Sequence, residues 1–178
     1  MKELSAIEEV KGLYTITPLT IFRRTPGVTF DFVPVAGLPR IDAVDRVIHH
    51  GNAASPGRVD QIERPWYMHP AQEDNLIVLY GTRSVELYSH EHGRIEEFVV
   101  TPHEIRSGDR VICQGGVIFS WPRRVFHRVR SFDEGSASIN LAVHREGFDI
   151  KTNFNIYDLD ISTGKFRVIR EGHVDQFL

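Results

Sequence analysis

Two stretches of this chain concentrate side chains able to do chemistry. The segment Trp66-Tyr-Met-His-Pro-Ala-Gln-Glu-Asp-Asn-Leu-Ile-Val-Leu-Tyr-Gly81 carries Tyr67, His69, Gln72, Glu73 and Asp74 close together. The second, Gly116-Val-Ile-Phe-Ser-Trp-Pro122-Arg-Arg-Val-Phe-His127, is a strand-like apolar run, a proline-fixed turn, and a histidine entering another strand. Imidazole nitrogens and carboxylate oxygens are the ligands that zinc, manganese and non-haem iron(II) take. The same groups serve as general acids and bases. Residues two apart in a strand face the same way, so Tyr67 shares a side with His69. Arg123, Arg124, Arg128 and Arg130 surround His127, and guanidinium forks recognise carboxylate and phosphate. A solvated face paired with Asp or Glu is the plainer role for any one of them. Trp66, Tyr67, Phe119 and Trp121 could wall a ligand pocket, although core packing suits Phe119 better.

The elements that must position these groups read as strands. Leu13–Phe22 and Val28–Val35 are β-branched and aromatic, with turn chemistry at Thr25-Pro-Gly27 between them. Residues 51–58 form a loop. Leu76–Tyr80 and Ser84–Tyr88 read as two strands bridged by Gly81-Thr-Arg83, and His90-Glu-His92-Gly93 as a hairpin tip before Ile95–Thr101. Further strands follow at Arg110–Gln114, Val117–Trp121, Val125–Val129 and Ser138–His144, then a closing hairpin at Asn153–Leu159 and Phe166–Arg170. The first dozen residues predict a short amphipathic helix with Leu4, Ile7 and Val10 on one face, ended by Gly12. Short strands with turn signals every eight to twelve residues define an all-β sandwich or barrel. Several strands are apolar on both faces, which calls for a second subunit to cover one of them, hence a homodimer.

Composition sets the class. A chain of 178 residues fits one domain, with 41% hydrophobic and 25% charged residues as in ordinary globular proteins. The net charge of −3 gives no basic field to draw in nucleic acid or an anionic membrane. No apolar run approaches the roughly 20 residues that span a bilayer. The N-terminal residues lack the apolar core of a signal peptide, and the lone Cys113 forms no internal disulfide, so a cytoplasmic setting is expected. His90 and His92 belong to a polar tip, His49 and His50 to the surface before a loop, and His144 to a strand end. Asp158-Leu-Asp160-Ile-Ser162-Thr-Gly164 lacks the twelfth-position carboxylate of a calcium loop and reads as a hairpin turn.

The stretch Gly116…Pro122…His127 resembles the second signature of the cupin superfamily, G(X)5PXG(X)2H(X)3N. Arg124 stands in the place of its second glycine and Ser131 in that of its asparagine. The first signature, G(X)5HXH(X)3–4E(X)6G, has a degraded counterpart upstream. Gly81 fills the closing glycine, Asp74 the glutamate, His69 the second histidine, Tyr67 the first histidine, and Gln61 the leading glycine. The two together span residues 61–131. This resemblance implies a single domain over residues 1–178: an antiparallel double-stranded β-helix, the cupin jelly-roll barrel of the RmlC-like type, with the short N-terminal helix outside it.

The resemblance also implies the site. His69, Asp74 and His127 would hold a divalent metal (Fe, Mn or Zn), with Gln72 or Glu73 as substitute oxygen donors. A small polar or anionic molecule would lie in the barrel against Trp66, Trp121 and Arg124. The expected activity is that of a metal-dependent small enzyme of oxygenase or isomerase type. The alternative is a metal-free epimerase or ketoisomerase, with His69 as base and Tyr67 or Tyr80 as acid, or a barrel that binds without turnover.

Overall fold

The computed structural model describes residues 5–33, 38 and 40–177. Its strands are β1 (Glu8–Val10), β2 (Tyr14–Pro18), β3 (Thr20–Thr25), β4 (Val28–Phe32), β5 (Ala43–His49), β6 (Ala54–Ser55), β7 (Trp66–Met68), β8 (Gln72–Tyr88), β9 (Ile95–Val100), β10 (Glu104–Ser107), β11 (Arg110–Gln114), β12 (Val117–Trp121), β13 (Phe126–His144), β14 (Ile156–Asp160) and β15 (Lys165–Arg170). One short helix, α1 (Ile150–Asn153), precedes β14. All described pairings are antiparallel. The architecture is the all-β jelly-roll barrel that the sequence predicts. Among the described residues, no helix is long and apolar enough to cross a membrane.

Two long strands organise the barrel. β8 and β13 pair from Phe126↔Tyr88 at one end to His144↔Gln72 at the other. Register shifts between Ser131 and Ser136, and again between Ala137 and Ser138, let them bend. Bulges of this kind raise local twist and turn a strand round a barrel corner. β13 also carries β5, β6 and β7 on its other edge. One core cluster, with Leu13, Ile16, Val85, Leu87, Phe98 and Phe119, fills one end of the barrel. A second, with Trp66, Met68, Tyr88, Phe126 and Tyr157, joins β7 and β14 to the outside of β13.

The structure corrects several of the expected elements: Val125–Val129 and Ser138–His144 belong to the one strand β13, and Leu13–Phe22 divides between β2 and β3. Leu76–Tyr80 and Ser84–Tyr88 are one continuous strand, because Gly81 bends the chain without reversing it. The strand β5 forms where the sequence reading had none. At the N-terminus, Glu8–Val10 pairs with β2 as a strand, not a helix. Gly12, at φ +75°, belongs to the turn between β1 and β2. Leu4 lies outside the described residues.

Gly81 explains its own place in the signature. Its φ is +71°, and a Cβ there would lie 2.0 Å from the carbonyl oxygen of Gly135. Both the left-handed backbone and the close approach require glycine. Gly81→Ala is therefore expected to cost about 2–4 kcal/mol of stability, read from urea unfolding midpoints. A loss below about 0.5 kcal/mol, the level of an ordinary surface change, would contradict this account.

Candidate active site

Strand alternation builds the site from β7 outward. Trp66 and Met68 turn to the second core cluster, so Tyr67 turns to the barrel interior and His69 follows on the same side. Tyr67 lies directly opposite His127 in the β7–β13 pairing. Asp74, near the start of β8, pairs with Trp121 at the end of β12. These registers bring together His69, Asp74 and His127, all buried, with their ligand atoms within 4.8 Å of one another. The imidazole centroids of His69 and His127 are 4.7 Å apart.

Hydrogen bonds fix how each group points. Nδ1 of His69 lies 2.6 Å from the carbonyl oxygen of Asn153, and Nδ1 of His127 lies 3.2 Å from that of Val125. A carbonyl only accepts, so both Nδ1 atoms carry a proton, and in the neutral rings both Nε2 atoms face inward as lone pairs. Oδ1 of Asp74 accepts from the amides of Gln72 and Asn140, each at 2.7 Å. Asn153 in turn donates to Gln72 at 3.0 Å. That leaves Oδ2 of Asp74 facing the histidines, 3.4 Å from Nε2 of His69 and 3.9 Å from Nε2 of His127. Three acceptors therefore converge on one point. Such an arrangement suits a shared proton, a substrate donor or a cation. Ligands about 2.0–2.2 Å from a tetrahedral metal stand roughly 3.4 Å apart. His69, Asp74 and His127 offer donor types that a divalent ion takes, at 3.4 Å and 3.9 Å from Oδ2 of Asp74 and within 4.8 Å across the set.

Electrostatics follow from burial. Burial acts to raise the Asp74 carboxyl, but the two imidazoles and the amide donors outweigh it and hold it below the ordinary carboxylate value. Burial, then the neighbouring His69, brings His127 down to about 4. Burial, helped by Arg83, brings His49 to about 4. Burial raises the Tyr67 phenol, which therefore stays protonated as a donor at neutral pH. Between the folded value near 4 and the unfolded value near 6.5, the unfolded chain binds protons at His127 and His49 that the folded chain refuses. Stability from these groups is complete above about pH 6.5 and is lost as pH falls through that window. Unfolding at pH 4.5 should need less urea than at pH 7, by on the order of 2 kcal/mol from His127. Equal stability at the two pH values would contradict it.

The cavity holding these groups measures about 400 Å³, within the range of small-molecule sites. Trp121 lines it, with its ring 5.3 Å from that of His127. Two expected substrate contacts do not reach it. Trp66 is buried on the far side of β7, under the Arg128 guanidinium 4.0 Å above its ring. Arg124 is exposed outside the cavity, and its contribution is made by the backbone: its N–H donates to the carbonyl of His69 at 2.8 Å. Its φ of +67° explains why the cupin signature prefers glycine at that place. Glu73 points outward to Arg145 at 2.8 Å, so it supplies no oxygen to the site. Gln72 braces Asp74 in place of replacing it. Tyr80 is 58% exposed on the outer face and is not an acid for this cavity.

Sequence reasoning missed Asp45, Arg83, Asn140 and Phe154, and it placed His49 at the surface; all five line the cavity. Two of them had a readable signal. In Ala43-Val-Asp-Arg-Val-Ile-His49 successive residues alternate between half-buried and exposed, so Asp45, Val47 and His49 share one face.

No family model matches the chain, and no curated protein does. Solved structures do match. A sugar 3,4-ketoisomerase, QdtA from Thermoanaerobacterium thermosaccharolyticum in complex with TDP, is 13% identical over 79% of this chain and 85% of its own, with a TM-score of 0.55. A dTDP sugar isomerase from Desulfovibrio desulfuricans is 15% identical over 78% and 82%, also at 0.55. RmlC from Streptococcus suis, in complex with dTDP-D-xylose, is 11% identical over 84% and 73%, at 0.53. The chain shares the RmlC-like cupin fold of these structures.

Proposed function

We propose that this protein is a small enzyme that moves a proton beside the carbonyl of a keto-sugar or related α-hydroxyketone bound in the barrel. The observation that carries the reading is the locked tautomer of His69, whose Nε2 lone pair faces the cavity beside Asp74. His69 acts as the base. Asp74, 3.4 Å away, stabilises the imidazolium that forms when Nε2 takes the proton. Tyr67, kept protonated by burial, donates to the carbonyl oxygen as charge develops there. The stacked ring of Tyr67, 6.3 Å from that of His69, stands across the space a substrate would fill. The likeness in fold to sugar ketoisomerases and an RmlC protein supports the substrate class; one QdtA structure is described in complex with TDP-4-keto-6-deoxyglucose. Tyr67→Phe should lower turnover about 10²–10³-fold with little change in substrate affinity. Unchanged turnover would remove Tyr67 from the mechanism.

A second reading rests on the three converging acceptors. His69 and His127 through Nε2, with Asp74 through Oδ2, would hold a divalent metal, which when bound would polarise a substrate carbonyl. Metal content of the purified protein, and turnover after exhaustive chelation, separate the two readings. Full turnover in metal-free protein supports the proton-transfer reading alone.

We propose further that the protein works as a homodimer. Ile48 and Tyr80 flank Ala137 in a row across β5, β13 and β8. They are 47% and 58% exposed on the outer face of the barrel, with Val44 and Leu79 nearby at 62% and 55%. A second copy is the occupant that would cover this patch. Light scattering at micromolar concentration should give twice the 20.4 kDa mass of one chain, and a species of 20.4 kDa alone would contradict the dimer.

A further inference from the structure

The cavity has a second pole that the proton-transfer chemistry does not use. Arg83 is 2% exposed and lines the cavity. Its Nε donates to Oγ of Ser136 at 2.7 Å and an Nη to the carbonyl of Val47 at 3.2 Å. A guanidinium carries five N–H donors, so these two neutral contacts leave it underused. Among the described residues no carboxylate pairs with it, whereas Arg64, Arg128, Arg145, Arg167 and Arg170 each have one. A buried cation without a counter-ion is costly, and such groups are normally paired. Its pKa is brought down to about 10 by burial alone, with no opposing carboxylate. The group is nonetheless firmly held. Ser136 shares a hydrogen bond with Ser131, and Ser131 another, 3.0 Å, with Nδ1 of His49.

We propose that Arg83 is the counter-ion site for an oxoanion, carboxylate or phosphate, carried by the substrate itself. This rests on the keto-compound reading and narrows it to anionic keto compounds. Both poles line one cavity. Arg83 is anchored at Val47, and two residues along β5 lies Asp45, which connects through Asn140 to Asp74. A compound with an anion at one end and a carbonyl at the other meets Arg83 and the proton-transfer centre within that cavity. The acidic pole formed by Asp45 and Asp74 sets the orientation, since it repels the anion from the proton-transfer centre. Charge-assisted hydrogen bonds in a dry site favour the anionic ligand about 10- to 100-fold.

Three compounds that share a hydroxymethyl ketone test this: neutral dihydroxyacetone, dihydroxyacetone phosphate and hydroxypyruvate. Calorimetric titration of the wild type should show at least one of the two anions binding 10-fold or more tightly than dihydroxyacetone. The tighter anion identifies the oxoanion. Arg83→Gln should reduce that preference to under about threefold, and Arg83→Lys should retain part of it as a point charge without the fork. The wild-type comparison stands alone should a variant fail to fold. Binding of all three compounds within threefold of one another, or a preference that survives in Arg83→Gln, would overturn the proposal, as would failure of the wild type to bind either anion. The outcomes separate from those of the proton-transfer reading. Anion preference through Arg83 without exchange of carbon-bound hydrogen for solvent deuterium keeps this site and removes the chemistry. Deuterium exchange into dihydroxyacetone with no anion preference does the opposite.

Discussion

His69→Gln should lower carbonyl-adjacent proton exchange about 10²–10⁴-fold, the span a positioned general base contributes. The reasoning is specific to the local geometry. Nδ1 of His69 is committed to the Asn153 carbonyl at 2.6 Å, so only Nε2 is free to take a proton. A glutamine amide of similar length preserves a polar group in the same space but has no basic nitrogen. Affinity for a keto compound should change far less than turnover, because the imidazole is asked to act mainly in the transition state. A parallel loss in affinity and turnover would instead make His69 a binding group. Its wall contacts support the expectation that the variant folds. The ring packs edge-on to Phe154 at 4.9 Å, a contact that a glutamine chain partly replaces.

Asp74→Ala should have the other large effect, and on two readouts. The carboxylate is buried and ionised, with Oδ1 held by Gln72 and Asn140. Removing it leaves two amide donors without their acceptor and two imidazoles without a negative neighbour. Breaking a buried, hydrogen-bonded charge cluster in this way costs about 3–5 kcal/mol. Asp74→Asn keeps the volume and isolates the charge. Both variants should lose most divalent metal, measured by elemental analysis after growth with added iron, manganese or zinc, if the wild type carries it. Tyr67→Phe should leave metal content unchanged, since the phenol lies outside the converging set. Wild-type metal content in Asp74→Ala would remove Asp74 as a ligand. Because Oε1 of Gln72 accepts from Asn153 and Glu73 pairs with Arg145, neither oxygen is placed to replace it.

The parts of the fold legible in the sequence are those where backbone geometry restricts residue choice. Gly81 stands where a left-handed φ and the Gly135 carbonyl exclude any side chain. Pro122 and His127 mark the turn into β13, and the two-residue spacing of Tyr67 and His69 puts both in the cavity as read. The same logic failed at Arg124, because a left-handed residue at a turn gives no information about where its own long side chain goes. Trp66 misled for the opposite reason: an aromatic beside the motif satisfies a core as well as a pocket, and only the partner strand decides between them. The strand β5 was passed over because half its face is exposed and charged, although its two-residue alternation was there to read. Arg83 could not be found at all from local pattern. It stands two residues after Gly81 in what looks like a turn, and its burial depends on Ser131, Ser136 and Val47, which lie far away in sequence and meet it only through the bulged pairing of β8 with β13 and the addition of β5. Long-range register is the information a single sequence lacks.

The most direct test of the proton-transfer account follows solvent deuterium into TDP-4-keto-6-deoxyglucose, and into smaller α-hydroxyketones, by proton NMR with chelated wild-type protein and with His69→Gln. The account predicts deuterium at the carbon next to the carbonyl for at least one of these compounds with the wild type, and its loss in His69→Gln. Exchange at the same rate in both proteins, or none in the wild type for any of them with or without added divalent metal, would contradict it.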